Sequence, residues 1–215
     1  MGIPIDKLIC ASNENKVLFD FFQTGVYDKN REFILTNSPS MDILISSNLE
    51  RLIYIIAGED AKKNSELMQA LKSTGVYELT EEMKANLEDF AAGYATEAEV
   101  RETIAEVYKK TGYVIDTHTA VAAKVCKAYQ DASKDEKKTV IASTASPYKF
   151  ARSVMTAIDD KYDALEEFDL IDSLEVISNV DIPNAVEEIR NAEILHTREC
   201  DADKMEETVK DILGV

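Results

Sequence analysis

The chain has 215 residues, 45% of them hydrophobic, which is enough for one large domain or two small ones and argues against disorder. Lysine and arginine total 24 against 41 aspartates and glutamates, a formal charge of −17 whose field repels phosphate backbones and anionic lipid, so neither nucleic acid nor a membrane surface is an expected partner. Three widely spaced cysteines (Cys10, Cys126 and Cys200), with no Cys-x-x-Cys pair and two histidines, fit a reducing cytoplasm and predict no metal site.

No apolar run approaches the ~18 residues of a membrane span, and "MGIPIDKLIC" has neither a basic n-region nor a cleavage site. The opening Met-Gly is not a myristoylation signal, because Asp6 stands where that motif needs Ser or Thr. Acidic stretches such as "DDKYDALEEFD" (159–169) and "DADKMEE" (201–207) read as solvated helix faces and first turns.

In chain order, "KLICAS" (7–12) predicts a short strand, and "NKVLFDFFQTG" (15–25) predicts an apolar-periodic helix stopped by Gly25. Within "SPSMDILISSNLERLIYIIAG" (38–58), Ile43, Leu44, Leu49, Leu52 and Ile53 fall at helical spacings behind a Ser-Pro-Ser turn, so a buried helix is expected. From about 60 to 110 the chain is highly charged, with Leu67 and Leu71, then Met83, Leu87 and Phe90, then Val100, Ile104 and Val107 at three- and four-residue intervals. This stretch predicts a helical insertion on an α/β body, its third helix opened by the capping box of Thr96 and Glu99.

After it, "GYVID" (112–116), "KKTVIAST" (137–144) and "AEILHTREC" (192–200) predict strands or extended pieces. Each feeds a helix, the last capped by Asp201. Strands alternating with helices predict an α/β fold with a largely parallel sheet.

Ligands of open α/β sheets collect beyond the carboxyl ends of the strands. Three junctions qualify: "ASNEN" (11–15), "DTHTA" (116–120) and "STASP" (143–147), each also explicable as helix capping. In the third, a hydroxyl at a strand end can bond a ligand nitrogen, and the small neighbours leave room for a flat ring. No Gly-x-Ser-x-Gly, His-Glu-x-x-His or glycine-rich phosphate loop occurs. His118 suits a base, an anion ligand or a structural residue of a first helical turn, and His196 reads as structural. Lys149 reads as a surface lysine rather than one forming an imine.

"GIPIDKLICASNEN" (2–15), "SPSMDILISSNLERL" (38–52), "GYVIDTHTAVA" (112–122) and "STASPYKF" (143–150) together resemble threonine synthase, of the bacterial and fungal subclass, and occur in that family's order. "AEILHTRECDADKMEETVKDIL" (192–213) resembles its C-terminal strand and helix, so the chain matches the C-terminal half of the family. The resemblance implies an incomplete parallel sheet of the tryptophan synthase β-like fold, with the inserted helical segment at about 60–110. It also implies pyridoxal phosphate as cofactor in the full-length enzyme, not bound by this piece alone, and conversion of O-phospho-L-homoserine and water to L-threonine and phosphate.

By motif, Thr144 resembles the threonine whose hydroxyl meets the cofactor's pyridine nitrogen. Asn13, Asn15, Ser40, Asp42, Asn48, Arg51, His118, Thr119 and Ser143 fall in motifs that line or neighbour the family's site, Arg51 serving equally a substrate anion or an ion pair. Ser146 and Tyr148 depart from the His-Pro-Ala more frequent in the family and leave Thr144 in register. The resemblance places the Schiff-base lysine and the cofactor-phosphate loop upstream of Met1, so no catalytic residue is expected within the chain. The piece alone is then expected to be inactive and, with apolar surface uncovered, to self-associate. A non-catalytic acidic α/β interaction module is the competing reading.

Overall fold

The computed structural model describes residues 4–215. The opening Met-Gly, expected to follow the family's phosphate loop, lies outside the described residues. The described residues form two compact units, one running to Asp181 and the other Ile182–Val215.

The first unit opens with β1 (Leu8–Ser12), which feeds α1 (Val17–Thr24) and then β2 (Val26–Asp28). Gly25 ends α1 in the left-handed region at φ 71°, where its N–H reaches the carbonyl of Phe21, a conformation most side chains resist. Next come α2 (Leu49–Ile56), α3 (Ala61–Ser73), β3 (Val76–Glu78), α4 (Glu81–Ala85) and β4 (Phe90–Tyr94). β1 and β4 pair in parallel, Leu8 opposite Phe90 through Ser12 opposite Tyr94, while β2 and β3 pair antiparallel. Val17 and Phe21 of α1, Leu49, Ile53 and Ile56 of α2, Leu67 and Leu71 of α3, and Met83 of α4 close a core around the stacked rings of Tyr27 and Tyr77.

Four helices follow: α5 (Glu97–Thr111), α6 (Thr117–Ser133) and, after a 3-10 turn, α7 (Ala151–Ile158), then α8 (Glu167–Ser178). The box expected at the start of α5 is present in both directions between Thr96 and Glu99, and Gly112 ends that helix at φ 73°. α6 packs on β1 and β4. A side chain on Gly93 of β4 would put its Cβ 2.7 Å from Cγ1 of Val125, so only glycine lets α6 approach this closely.

Several expected elements differ. The helix expected over 38–58 begins only at Leu49, because Ser38–Asp42 closes as a 3-10 turn, the N–H groups of Met41 and Asp42 donating to the carbonyls of Ser38 and Pro39, with the Asp42 carboxylate tied back to Thr36. Phe90, counted on a helix face, opens β4; within 60–110 the helices α3, α4 and α5 are interleaved with the strands β3 and β4. Residues 112–116 are extended without a partner strand, and 137–144 form no strand either, with Val140 93% exposed. Among the described residues no strand pairs with either segment, so neither forms a ladder, although Val114 and Ile115 are buried.

The second unit holds α9 (Asn184–Arg190) and α10 (Met205–Leu213). Residues 192–200, expected as a strand, are irregular and exposed for the same reason, so His196 is exposed rather than built into a sheet. Asp201 caps a 3-10 turn ahead of α10 and makes no side-chain cap bond. Among the described residues no helix is long and apolar enough to cross a membrane.

Candidate cofactor site

The C-terminal ends of β1 and β4 lead into the turns 12–16 and 94–97, and the polar residues collect there. After β1, Asn13 is 2% exposed, and its Oδ1 accepts the backbone N–H of Asn15 at 3.1 Å, the side-chain turn that asparagine forms readily. The Asn15 amide pairs with the backbone of Ile34 as a strand would, donating to its carbonyl at 2.8 Å and accepting its N–H at 2.9 Å. Arg31 clamps the same loop, donating to Asp20 at 2.6 Å and to the carbonyls of Asp28 and Asn15.

Asp42 is the centre of this knot. Its Oδ1 accepts from the amides of Asn13 at 2.7 Å and Asn15 at 3.2 Å and from the hydroxyl of Thr36 at 2.7 Å; its Oδ2 accepts the N–H of Thr36 at 2.9 Å. Four donors surround one carboxylate, which satisfies its oxygens without a cation.

A second knot surrounds Asp116, the N-cap of α6, which is 1% exposed. Its Oδ1 accepts the N–H groups of His118 at 2.8 Å and Thr119 at 3.3 Å. The two imidazole nitrogens of His118 face different partners: Nε2 lies 3.1 Å from the N–H of Ser40, and Nδ1 lies 3.1 Å from Oδ1 of Asp116. A backbone N–H can only donate, so Nε2 is bare and the proton sits on Nδ1, pointing at the carboxylate. His118 is thus neutral and structural in its bonding, buried against the ring of Phe150 at 4.7 Å between centroids. From the same carboxylate a line leads outward: Thr119 Oγ1 donates to Oδ2 of Asp116, and Ser143 Oγ lies 2.8 Å from Thr119 Oγ1.

Of the residues named from sequence, Asn13, Asn15 and Asp42 share the first knot, while Ser40 (through its backbone), His118, Thr119 and Ser143 share the second. Thr144, next to Ser143, is exposed, and its side chain makes no hydrogen bond among the described residues. Asn48 and Arg51 bond one another at 2.8 Å at the start of α2 and join neither knot. Lys149 is exposed, its ammonium 5.6 Å from the ring centre of Phe150. Thr36, Ser38 and Asp116 were missed as site residues. Asp116 was visible in "DTHTA" only as a helix cap, and nothing local shows that the hydroxyls of Thr36 and Ser38 accept from the Asn13 amide, which comes from a distant turn.

Beside the polar knots, a cleft of about 330 Å³ is lined by Ile9, Cys10, Leu18, Phe22, Leu52 and Phe90. Burial pushes the Cys10 thiol up to about 11, so it is a packing group rather than a nucleophile at neutral pH.

Comparison with known proteins gives this arrangement a family. The family model for the threonine synthase C-terminal region matches residues 119–210. Threonine synthase-like 1 of Pongo abelii is 43% identical over 163 residues, 75% of this chain and 22% of that protein. Threonine synthase of Corynebacterium glutamicum is 36% identical over 199 residues, 88% of this chain and 40% of that one. The chain therefore spans well under half the length of these relatives. Among solved structures, yeast threonine synthase superposes over 100% of this chain and 43% of its own with a TM-score of 0.78 at 28% identity. The pyridoxal-phosphate-bound threonine synthase of Brucella melitensis superposes over 73% of this chain and 33% of its own, with a TM-score of 0.64 at 39% identity. By its sequence matches and by its α/β fold alike, the chain belongs to the threonine synthase family, whose C-terminal region it carries.

Proposed function

We propose that this chain supplies one wall of the pyridoxal-phosphate site of a threonine synthase, and that the full-length enzyme converts O-phospho-L-homoserine and water to L-threonine and phosphate. The observation that carries the reading is Thr144: an exposed hydroxyl with no protein partner, between Ser143 and Ala145, beside a network in which the neighbouring side chains are already bonded. A hydroxyl with its proton free suits the edge nitrogen of a flat ring, and the methyl groups of Ala142 and Ala145 leave space for one. The residues present therefore fit the cofactor on this side.

Pyridoxal phosphate, when bound, supplies an electron sink for the substrate's carbon skeleton. The chain's contribution is placement. Thr144 offers a neutral donor to the pyridine nitrogen, and the knot at Asp42 holds the turns after β1 and before α2 at fixed spacing. His118 ties the turn at Ser40 to the start of α6. The lysine that anchors the cofactor and the loop that holds its phosphate are assigned to sequence upstream, in the part of the relatives this chain does not span. On this division of labour the chain alone turns over no substrate, binds pyridoxal phosphate weakly or not at all, and works in the cytoplasm. The residues 1–215 form part of the enzyme's large cofactor domain, with the segment at about 60–110 as its family-specific insertion.

The test is to incubate the purified chain with pyridoxal phosphate, reduce with borohydride and map the peptides. No site-specific pyridoxyl adduct is expected, whereas stoichiometric labelling at Lys149 would overturn the assignment of the lysine upstream.

A second reading has one observation in its favour: the Threonine synthase-like 1 proteins are more similar over their matched stretch than the C. glutamicum enzyme is. On that reading the full-length protein need not make threonine. Phosphate release from O-phosphohomoserine by the full-length enzyme separates the two, since a protein of the second kind frees none coupled to threonine.

A further inference from the structure

The direction of the hydrogen bonds around Asp116 can be worked out link by link. An ionised carboxylate has no proton to give, so the short contact from Thr119 Oγ1 to Oδ2 of Asp116 uses the threonine's only hydroxyl proton. The 2.8 Å contact between Thr119 and Ser143 then has a single possible donor, Ser143. With its proton spent on Thr119, Ser143 turns only lone pairs outward. Thr144, with no partner among the described residues, keeps its proton. Two adjacent hydroxyls at one loop thus differ in sign, one an acceptor and the other a donor.

We propose that Asp116 and Thr119 are positioning residues that fix Ser143 as an acceptor, leaving Thr144 as the hydroxyl donor at the cofactor's edge. The inference rests on the reading that this loop faces pyridoxal phosphate. Asp116 is suited to the task because it is buried and anchored by two backbone N–H groups and by His118, so it cannot turn away. Thr119 carries that polarity through a single hydroxyl to the exposed loop. Removing the Thr119 hydroxyl leaves the N-cap bonds of Asp116 to the backbone of residues 118 and 119 in place, so the relay can be cut without uncapping α6.

The experiment measures the dissociation constant for pyridoxal phosphate and the absorption spectrum of the bound cofactor, in the full-length enzyme and its variants Thr119→Val, Thr119→Ser, Ser143→Ala and the Thr119→Val/Ser143→Ala pair. Loss of one hydrogen bond corresponds to about fivefold weaker binding. Thr119→Val is expected to weaken binding by about that factor and to shift the cofactor's absorption band, because a freed Ser143 proton competes with Thr144 at the ring. Thr119→Ser is expected to restore both, and the Thr119→Val/Ser143→Ala pair to bind as wild type does, the competing hydroxyl being gone. Equal binding by wild type and Thr119→Val, or a pair no tighter than Thr119→Val alone, would overturn the inference. Ser143→Ala lies on an exposed loop and folds irrespective of the relay; it is expected to bind as wild type does, and weaker binding by it would overturn the inference even where Thr119→Val does not fold. A wild-type enzyme that binds no pyridoxal phosphate would overturn instead the reading on which the inference rests.

Discussion

Asn13 and Asp42 meet through a 2.7 Å bond between a buried amide and a carboxylate, joining the end of the first strand to the turn that precedes α2. The two ends of that bond are not equivalent. Deleting the amide leaves Asp42 three other donors, whereas deleting the carboxylate takes an acceptor from four donors at once and leaves the Thr36 N–H with none. An unsatisfied buried polar group costs about 1–3 kcal/mol. Asp42→Ala is therefore expected to destabilise the chain by about 3 kcal/mol and Asn13→Ala by about 1–2 kcal/mol in urea unfolding. Equal costs would show that the carboxylate is not the centre of the knot.

The close approach of α6 to β4 makes a prediction with its own control. Gly93→Ala places a methyl 2.7 Å from Cγ1 of Val125, an overpacking that costs about 1–3 kcal/mol. Val125→Ala removes the obstructing methyls and is expected to recover part of that loss in the double variant. Strictly additive costs would mean that the two residues do not compete for the same space.

Glu99 gives the fold a dependence on acid. The backbone N–H of Thr96 holds its carboxyl below the ordinary value of 4.5, with the Lys124 ammonium helping and burial opposing. A carboxyl lowered on folding stabilises above its unfolded value, and the benefit is lost as pH falls through the folded one. Glu99→Gln is thus expected to lower the melting temperature at neutral pH and to have no effect at about pH 2. Thr96→Ala, which removes the other half of the box, should cost about 1 kcal/mol at either pH.

Exposed apolar side chains make a prediction for the chain on its own. Val140, Ile194 and Leu195, and Met205, Val209, Ile212 and Leu213 of α10, stand in solvent. Surfaces of that kind associate. Sedimentation over a wide concentration range is expected to show self-association, and a single monomeric species throughout would refute it.

What could be read in advance was local. The box at Thr96, the cap at Asp116 and the stop at Gly25 each depend on residues within one helical turn, and all three are where the residues alone put them. The runs at 137–144 and 192–200 have the right composition for strands, yet a strand exists only with a neighbour to bond, and the pattern of one segment says nothing of that. The same holds for the knots. Asn13, Asp42 and His118 could be singled out from their motifs, but that Thr36 would join the first two, or that a backbone N–H at Ser40 would set the tautomer of His118, depends on turns brought together by the packing of α1, α2 and α6.

The parallel pairing of β1 with β4 orders events in time as well as in space. Leu8 finds Phe90 only after everything from α1 to α4 has been spanned, and closing so long a loop is favourable only when the material inside it has already condensed. The core around Tyr27 and Tyr77 is drawn from that intervening stretch, so it can assemble first and deliver the two strands to one another. On a ribosome, β1 would emerge well before β4, its apolar edge waiting on a partner not yet made.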